Sequence, residues 1–204
     1  GSVHEKVMDI IKSWNVIPGL RFIQQFSTHP AYINAILATA KKFDIPSYDH
    51  VIFSFHGLPE RHLQKADSQN WCLRQSNCCQ NSCKENQTCY AANCYATARE
   101  LVKHLKLREE QYTISFQSRL GKDPWTRPNT SEIIEKLALV GKKKVLVFCP
   151  SFVCDCLETL YEIKIEYGDL FKEKGGEKLD LVYGLNDNPE WIEALRTMIF
   201  TQFF

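Results

Sequence analysis

Short apolar runs alternate with longer amphipathic segments along most of the chain. The short runs are rich in β-branched and aromatic residues, as buried strands usually are. In the longer segments, apolar residues recur every three or four positions, as on one face of a helix. The pattern predicts strands at residues 21–26, 51–55, 112–116, 145–148 and 179–185.

Helices are predicted between these strands, at residues 30–43, 91–105, 131–140, 156–174 and 189–201. Pro30 suits a first helical position, and the Thr130 side chain could cap the helix that follows it. Strands that alternate with helices favour right-handed crossovers. We therefore predict an α/β fold, a doubly wound, mostly parallel sheet with helices on both faces, in which ligands bind beyond the carboxyl ends of the strands.

Composition narrows the class of partner. The chain has 204 residues, is 44% hydrophobic and carries a net charge of +1, which favours one globular domain and argues against binding nucleic acid or an anionic membrane. No apolar stretch reaches the roughly 20 residues that a membrane helix needs, so we expect a soluble, cytoplasmic protein. The apolar tail at 198–204 is the one hint of peripheral membrane contact, of a homo-oligomer or of packing on another domain.

His56 directly follows the strand predicted at 51–55. A histidine at that position points into the expected crevice, and imidazole is both a metal ligand and a base near neutral pH. A histidine that only caps the loop by hydrogen bonds to the backbone is an equally good interpretation of the position.

Three glutamates, Glu158, Glu162 and Glu166, follow one another at intervals of four residues. On one helix face, like charges at this spacing each oppose folding by about 0.2–0.5 kcal/mol. The pattern therefore indicates either a solvated acidic face or a row of carboxylates that handles hydrated divalent cations or protons.

Cysteines are concentrated in an insertion at residues 70–94, which holds six of the nine. Zn²⁺ and iron–sulfur clusters are both usually held by four cysteines. The insertion therefore predicts a metal or cluster site in a reducing compartment, with local disulfides as the competing interpretation.

Four motifs occur in the order found in the ferrochelatase family and cover the chain from about residue 21 to its end. The segment 51–59 resembles the signature around that family's reactive histidine. FQSRLGKDPW at 116–125 resembles its porphyrin-side loop, and 149–167 its metal-side helix. LNDNP at 185–189 is similar to its ending. The resemblance implies an enzyme, a porphyrin metal chelatase of the lyase class, that inserts ferrous iron as substrate into protoporphyrin IX or coproporphyrin III in the final steps of haem biosynthesis.

The resemblance also implies roles for particular residues. The catalytic pair would be His56, facing the pyrrole nitrogens, and Glu158, its carboxylate partner. Both would contact the metal, with Glu162 and Glu166 along its path or the path of protons. The residues that flank the porphyrin would be Trp125, Gln117 and Ser118. At Cys156 the sequence departs from those members that carry a second histidine there, so this thiol is either a soft ligand or a small buried residue.

Some ferrochelatases carry a [2Fe-2S] cluster. The resemblance therefore favours such a cluster over a structural zinc at the cysteine insertion. Our hypothesis for the ligands is Cys72, Cys79, Cys83 and Cys89, with Cys78 and Cys94 as spares.

The family has two similar α/β halves, and this chain resembles the C-terminal one. We expect residues 1–2 to be an expression scar, residues 3–204 to be the C-terminal domain, and the missing N-terminal domain to be its partner. The isolated fragment is then predicted to be inactive or nearly so. Two other classes remain as alternatives: a non-catalytic module that binds a metal or tetrapyrrole, and a cobalt chelatase of corrinoid synthesis.

Overall fold

Four parallel strands form the central sheet. The computed structural model describes residues 2–203, with side chains for residues 3–201. The strands are β1 (His50–His56), β2 (Tyr112–Gln117), β3 (Lys144–Phe148) and β4 (Lys178–Val182), and they lie in the order β2-β1-β3-β4. This arrangement confirms the predicted α/β class.

Helices connect the strands. They are α1 (Ser2–Ile11), α2 (Pro30–Ala40), α3 (Glu60–Ala66), α4 (Tyr90–Leu105), α5 (Thr130–Leu139), a π-helix (Glu158–Tyr167) that continues into α6 (Gly168–Glu173), and α7 (Pro189–Phe203). Short 3-10 turns lie at Ile45–Ser47, Lys84–Asn86 and Glu109–Gln111. Within the described residues, none of these helices is long and apolar enough to cross a membrane.

The two faces of the sheet carry separate apolar cores. Successive side chains of a strand point to opposite faces, so Phe53 and Phe148 pack with residues of α2, α4 and α7. Their neighbours Ile52 and Val147 pack on the other face, against residues of α5, the π-helix and α6. Helices therefore cover both faces, as the near-continuous apolar runs of the strands predict.

The strand predicted at residues 21–26 is wrong. In the structure this segment joins no sheet, and most of its side chains are exposed. Phe26 is its main anchor, with its ring 5.1 Å from that of Tyr32 and 6.0 Å from that of Trp191. Phe26 thus docks on α2 and α7, and no residue of the segment pairs with a strand.

The cap predicted for Thr130 is also wrong. The preceding Asn129 caps α5, because its side-chain oxygen accepts a hydrogen bond of 2.9 Å from the Ser131 amide. The Thr130 hydroxyl is instead buried under the sheet, 2.8 Å from the Ser54 hydroxyl and 2.9 Å from that of Ser115.

Only some of the apolar side chains of the C-terminal tail are exposed to solvent. In α7, Met198 is buried, whereas Ile199 and Phe200 are about half exposed. Gly1 of the proposed scar, Phe204 of the tail and the side chains of residues 2, 202 and 203 lie outside the described part of the chain.

Candidate functional site

His56 ends β1, and hydrogen bonds hold both its ring and its backbone. Its Nδ1 lies 2.5 Å from the Gly57 carbonyl oxygen. Because a carbonyl only accepts, Nδ1 must carry the hydrogen, which leaves the lone pair of the neutral ring on Nε2. The His56 amide donates to the Ser151 hydroxyl at 3.0 Å, and the His56 carbonyl accepts from the Tyr90 hydroxyl at 2.8 Å. The ring therefore presents one defined nitrogen to the crevice.

Two aromatic rings flank the imidazole. The ring of Phe152 is 5.9 Å away and that of Trp125 is 6.5 Å away, centroid to centroid. Trp125 reaches this position because its loop pairs with the segment that follows His56. Pro59 and Trp125 form an antiparallel bridge, and the Thr126 amide donates to the Leu58 carbonyl at 2.9 Å.

Gly57 is required by this close approach. A Cβ atom at residue 57 would lie 2.7 Å from the Gln117 carbonyl oxygen and 3.1 Å from the Trp125 ring. Any larger residue would therefore push the histidine loop away from β2 or from the tryptophan.

Gln117 joins the end of β2 to the π-helix. It is the register partner of His56 and is only 1% exposed. Its side-chain nitrogen donates to the Glu158 carbonyl at 2.7 Å and to the Glu162 carboxylate at 3.1 Å, while its oxygen accepts from the Ser54 hydroxyl at 2.8 Å. Both polar atoms of this buried amide thus have partners, and its nitrogen fixes the two glutamates beside the strand end.

Glu162 is the most firmly held carboxylate of the three glutamates. Besides Gln117, it accepts from the Ser118 amide and the Ser118 hydroxyl, each at 2.7 Å, and from the Tyr167 hydroxyl at 2.8 Å. Ser118 adopts a φ of 65°, the left-handed conformation that aims its amide at this carboxylate. Four donors neutralise part of the charge, so Glu162 is the least free to move towards a ligand.

Glu158 is the more available carboxylate. A hydrogen bond from the Cys156 thiol, and to a smaller extent the charge of His56, lower the pKa of Glu158 below its usual range. The side chain is therefore ionised at neutral pH and lies near enough to His56 to interact with it electrostatically. All three glutamates, with Arg119 and Glu132, line one open groove that starts at this point.

The structure brings most of the sequence-predicted residues to one edge of the sheet. His56, Trp125, Gln117, Ser118, Glu158 and Glu162 lie together there, and Glu166 lies exposed farther along the groove. Sequence reasoning missed Ser151 and Phe152 as neighbours of His56, although both follow the end of β3 and the rule for strand ends could have found them. Tyr90, which lies within the cysteine insertion, carried no such signal.

A second cluster lies beneath the histidine loop. All nine cysteines are free thiols. One cavity is lined by Cys72, Cys78, Cys79 and Cys89, and also by Leu58 and by residues of α3. The Cys78 and Cys79 sulfurs are 3.5 Å apart, and the Cys79 thiol donates to Cys89, which lowers the pKa of Cys89.

Cys83 lies outside this cavity and instead precedes the 3-10 turn Lys84–Asn86. Cys94, a residue of α4, is buried in the core. Between residues 2 and 203, no three His, Cys, Asp or Glu side chains converge closely enough to hold a metal ion without rearrangement. A ligand in the cavity would thus require its thiols to rotate towards a common centre.

An α/β sheet whose carboxyl edge carries an imidazole, an ionised glutamate and further carboxylates defines a domain with the donor set for a divalent cation. The sequence model of the ferrochelatase family matches residues 1–203. The chain belongs to this family.

Curated relatives agree with the family match. A ferrochelatase of Legionella pneumophila (strain Lens) is 42% identical over 203 residues, which are 100% of this chain and 60% of the relative. A ferrochelatase of Pseudomonas fluorescens (strain SBW25) is 41% identical over 199 residues, 97% of this chain and 58% of the relative. The chain therefore spans about 60% of the length of the curated relatives that it matches.

Proposed function

We propose that this chain supplies the metal-side half of a site that inserts ferrous iron into a porphyrin, protoporphyrin IX or coproporphyrin III, to form haem. Membership of the ferrochelatase family and the relatives named ferrochelatase support this proposal. The observation that carries it is the position of the His56 imidazole between two aromatic rings and beside the ionised Glu158.

The reaction requires groups that accept the pyrrole protons and a group that delivers the iron. Inserting Fe²⁺ removes two protons from pyrrole nitrogens and strips water from the metal. The lone pair on His56 Nε2 can accept one proton or hold the iron as it arrives. The Glu158 carboxylate can take the second proton or share the iron, because ferrous iron accepts both imidazole and carboxylate ligands.

The groove of glutamates provides a route between this point and solvent. Glu166, at its exposed end, would exchange protons or hydrated iron with water, and Glu162 would pass them on towards Glu158. Glu162 would keep its position while it does so. Breaking its four hydrogen bonds would cost more free energy than a transient contact with a proton or metal ion would gain.

The flat rings of Trp125 and Phe152 suit the wall of a porphyrin cleft. Aromatic rings pack in offset or tilted arrangements against other flat π-systems. Gln117 and the Ser118 hydroxyl bond to the π-helix, so we assign them the task of holding the glutamates beside the macrocycle.

Replacing His56 tests the proposal. In the complete protein, His56→Ala should lower iron insertion at least about 100-fold, the usual contribution of a positioned base, while porphyrin still binds. His104→Ala, at an exposed residue of α4, is the matched control and should leave turnover unchanged.

The alternatives give different results in the same assay. A non-catalytic binding module would have no turnover for His56→Ala to remove. A cobalt chelatase would insert Co²⁺ into a corrinoid precursor in preference to Fe²⁺ into a porphyrin. Either result would overturn the assignment.

We also propose that the cysteine-lined cavity holds a [2Fe-2S] cluster, with a structural zinc as the alternative. Its donor set fits, because four thiols line one space and both groups are usually held by four cysteines. The ligands would be Cys72, Cys79 and Cys89 with Cys78 as the fourth, in place of the Cys83 of the hypothesis from the sequence. When bound, such a group cross-links an insertion whose polar sequence provides little core of its own.

Spectroscopy decides between the two groups. Protein purified without oxygen should show the visible absorption and, once reduced, the paramagnetic resonance signal of a [2Fe-2S] cluster, and a colourless preparation with one zinc per chain would exclude it. Cys78→Ser should abolish the signal and Cys83→Ser should retain it. The reverse result would restore Cys83 as a ligand.

A further inference from the structure

Tyr90 connects the cysteine-lined cavity to His56. It directly follows Cys89 and is the first residue of α4. Its ring lines the cavity, and its hydroxyl donates to the His56 carbonyl at 2.8 Å. One side chain therefore contacts both the cavity and the proposed catalytic histidine.

The peptide group between His56 and Gly57 is held on both sides. Its carbonyl oxygen accepts from Tyr90, and its amide donates to the Gln117 carbonyl at 2.8 Å. The Gly57 carbonyl, one peptide farther along, accepts from His56 Nδ1. Releasing the Tyr90 side lets this peptide tilt, which moves the Gly57 carbonyl away from the ring nitrogen that it holds.

The cavity borders the histidine loop on its other side as well. Leu58, two residues after His56, and Leu63 of α3 line the same space as the four thiols. Cys89 immediately precedes the start of α4, so a shift of the Cys89 backbone also shifts Tyr90. A ligand bound by the thiols would therefore affect both the loop after His56 and the start of α4.

We infer that Tyr90 is a positioning residue that couples the state of the cysteine-lined cavity to the ring of His56. When the cavity is ordered, Tyr90 fixes the peptide after His56, and His56 keeps its hydrogen on Nδ1 and its lone pair on Nε2. The catalytic consequence rests on the proposed function, but the effect on the ring does not.

The first test removes only the hydroxyl. In the complete protein with labelled histidine, ¹⁵N spectra at a pH where imidazole is neutral should show His56 as a single Nδ1–H tautomer, with His56→Gln used to assign the signal. Tyr90→Phe should give a mixture of tautomers and lower kcat about tenfold, the value of one lost hydrogen bond, while the KM for porphyrin changes less than twofold.

Tyr95→Phe is the matched control. Tyr95 lies on the same helix, and its ring packs 6.3 Å from that of Phe116. This variant should leave the His56 signal and kcat unchanged. An unchanged tautomer in Tyr90→Phe, or an equal change in Tyr95→Phe, would overturn the inference.

The second test measures the coupling. Cys72→Ser disturbs the cavity at a residue distant in sequence from Tyr90, and it should shift the His56 tautomer and lower kcat in the parent protein. In the Tyr90→Phe background, the same change should have little further effect, because the connection is already cut. Equal effects in both backgrounds, or none in the parent, would refute the coupling.

The tautomer signal separates failure of the inference from failure of the proposed function. A protein without iron insertion whose tautomer still follows Tyr90 and Cys72 would refute the function alone. An active protein whose tautomer ignores both residues would refute the inference alone.

Discussion

At the scale of single residues, the thiol of Cys156 lowers the pKa of Glu158. Its hydrogen bond is the main reason that the pKa of Glu158 is lowered. A carboxylate that must bind an arriving cation or accept a pyrrole proton has to be ionised beforehand. The residue at which the sequence departs from part of its family therefore retains a function, as a donor to the glutamate.

Removing this donor should raise the pKa of Glu158 towards the ordinary glutamate value. We expect Cys156→Ala to do so, and Cys156→Ser, which keeps a hydroxyl donor, to do so less. The measurement is a ¹³C titration of the labelled side-chain carboxyl groups. Cys154→Ala, at an exposed cysteine two residues earlier, is the control; a Cys156→Ala titration identical to that of the control would contradict the prediction.

His50, at the other end of β1, should make folding stability depend on pH. Burial, with a smaller effect from the charge of Lys142, lowers the pKa of His50 to about 4. Its Nε2 lies 2.9 Å from the Thr113 hydroxyl. The unfolded chain takes up this proton near pH 6.5, so the stabilisation is complete above that pH and is lost as the pH falls from about 6.5 towards 4.

Urea unfolding at several pH values checks this sign. The free energy of unfolding should fall less steeply with decreasing pH in His50→Gln than in the parent protein. His104→Gln, at an exposed histidine, should keep the parent slope. Identical slopes in all three proteins would show that His50 does not titrate as its burial requires.

At the scale of elements, the apolar pattern of the sequence predicted the strands that helices cover on both faces. The run around Ile52 and Phe53 is apolar on both faces because helices cover both faces of the sheet. A strand of this kind can be predicted from the sequence. The segment at 21–26 also carries apolar residues, Phe22, Ile23 and Phe26, but it has no neighbouring strand to pair with. Periodicity alone cannot distinguish these cases, since pairing depends on residues far away in the chain.

The π-helix shows that prediction from periodicity is limited at the site as well. The four-residue interval of Glu158 and Glu162 is compatible with either an α-helix or a π-helix, so sequence reasoning predicted one continuous helix at 156–174. Wide π-turns are rare and occur mostly at functional sites. What the sequence did reveal is the chemistry, a row of carboxylates after a strand, and not the hydrogen bonds from Gln117 and Ser118 that hold it.

Asp155 fixes the start of the π-helix. Its carboxylate accepts from the Gly184 amide at 2.9 Å, from the Asn186 side chain at 2.7 Å and from the Thr159 hydroxyl at 3.1 Å. A Cβ atom at Gly184 would lie 2.9 Å from the Asp155 amide, so the two segments meet as closely as glycine permits.

We expect Asp155→Ala to lower the free energy of unfolding by about 2 kcal/mol, because it leaves three donors without their charged acceptor. Asp187→Ala, at an exposed aspartate of the loop between β4 and α7, should change it by less than about 0.5 kcal/mol. Urea denaturation measures both. Equal effects of the two substitutions would mean that Asp155 does not anchor the helix.

At the scale of the whole molecule, the site has one open side. Apolar side chains beside it are exposed: Leu120 by 80%, Leu157 by 72% and Tyr161 by 53%. Exposed apolar side chains next to a polar site are typical of a place where another surface packs. A porphyrin bound here alone would keep one face in water, where water competes for every proton and metal ligand that the reaction uses.

The chain by itself should therefore insert iron at less than about 1% of the rate of the complete protein, the loss expected when orientation of the macrocycle is given up. Parallel assays with Fe²⁺ and Zn²⁺ measure the two rates, and circular dichroism confirms that the isolated chain is folded. Adding the remaining polypeptide in trans should restore part of the activity, because the proposed function assigns the His56 and Glu158 side of the cleft to this chain. Comparable rates for the chain alone and the complete protein would mean that one wall is enough to hold and metallate the porphyrin.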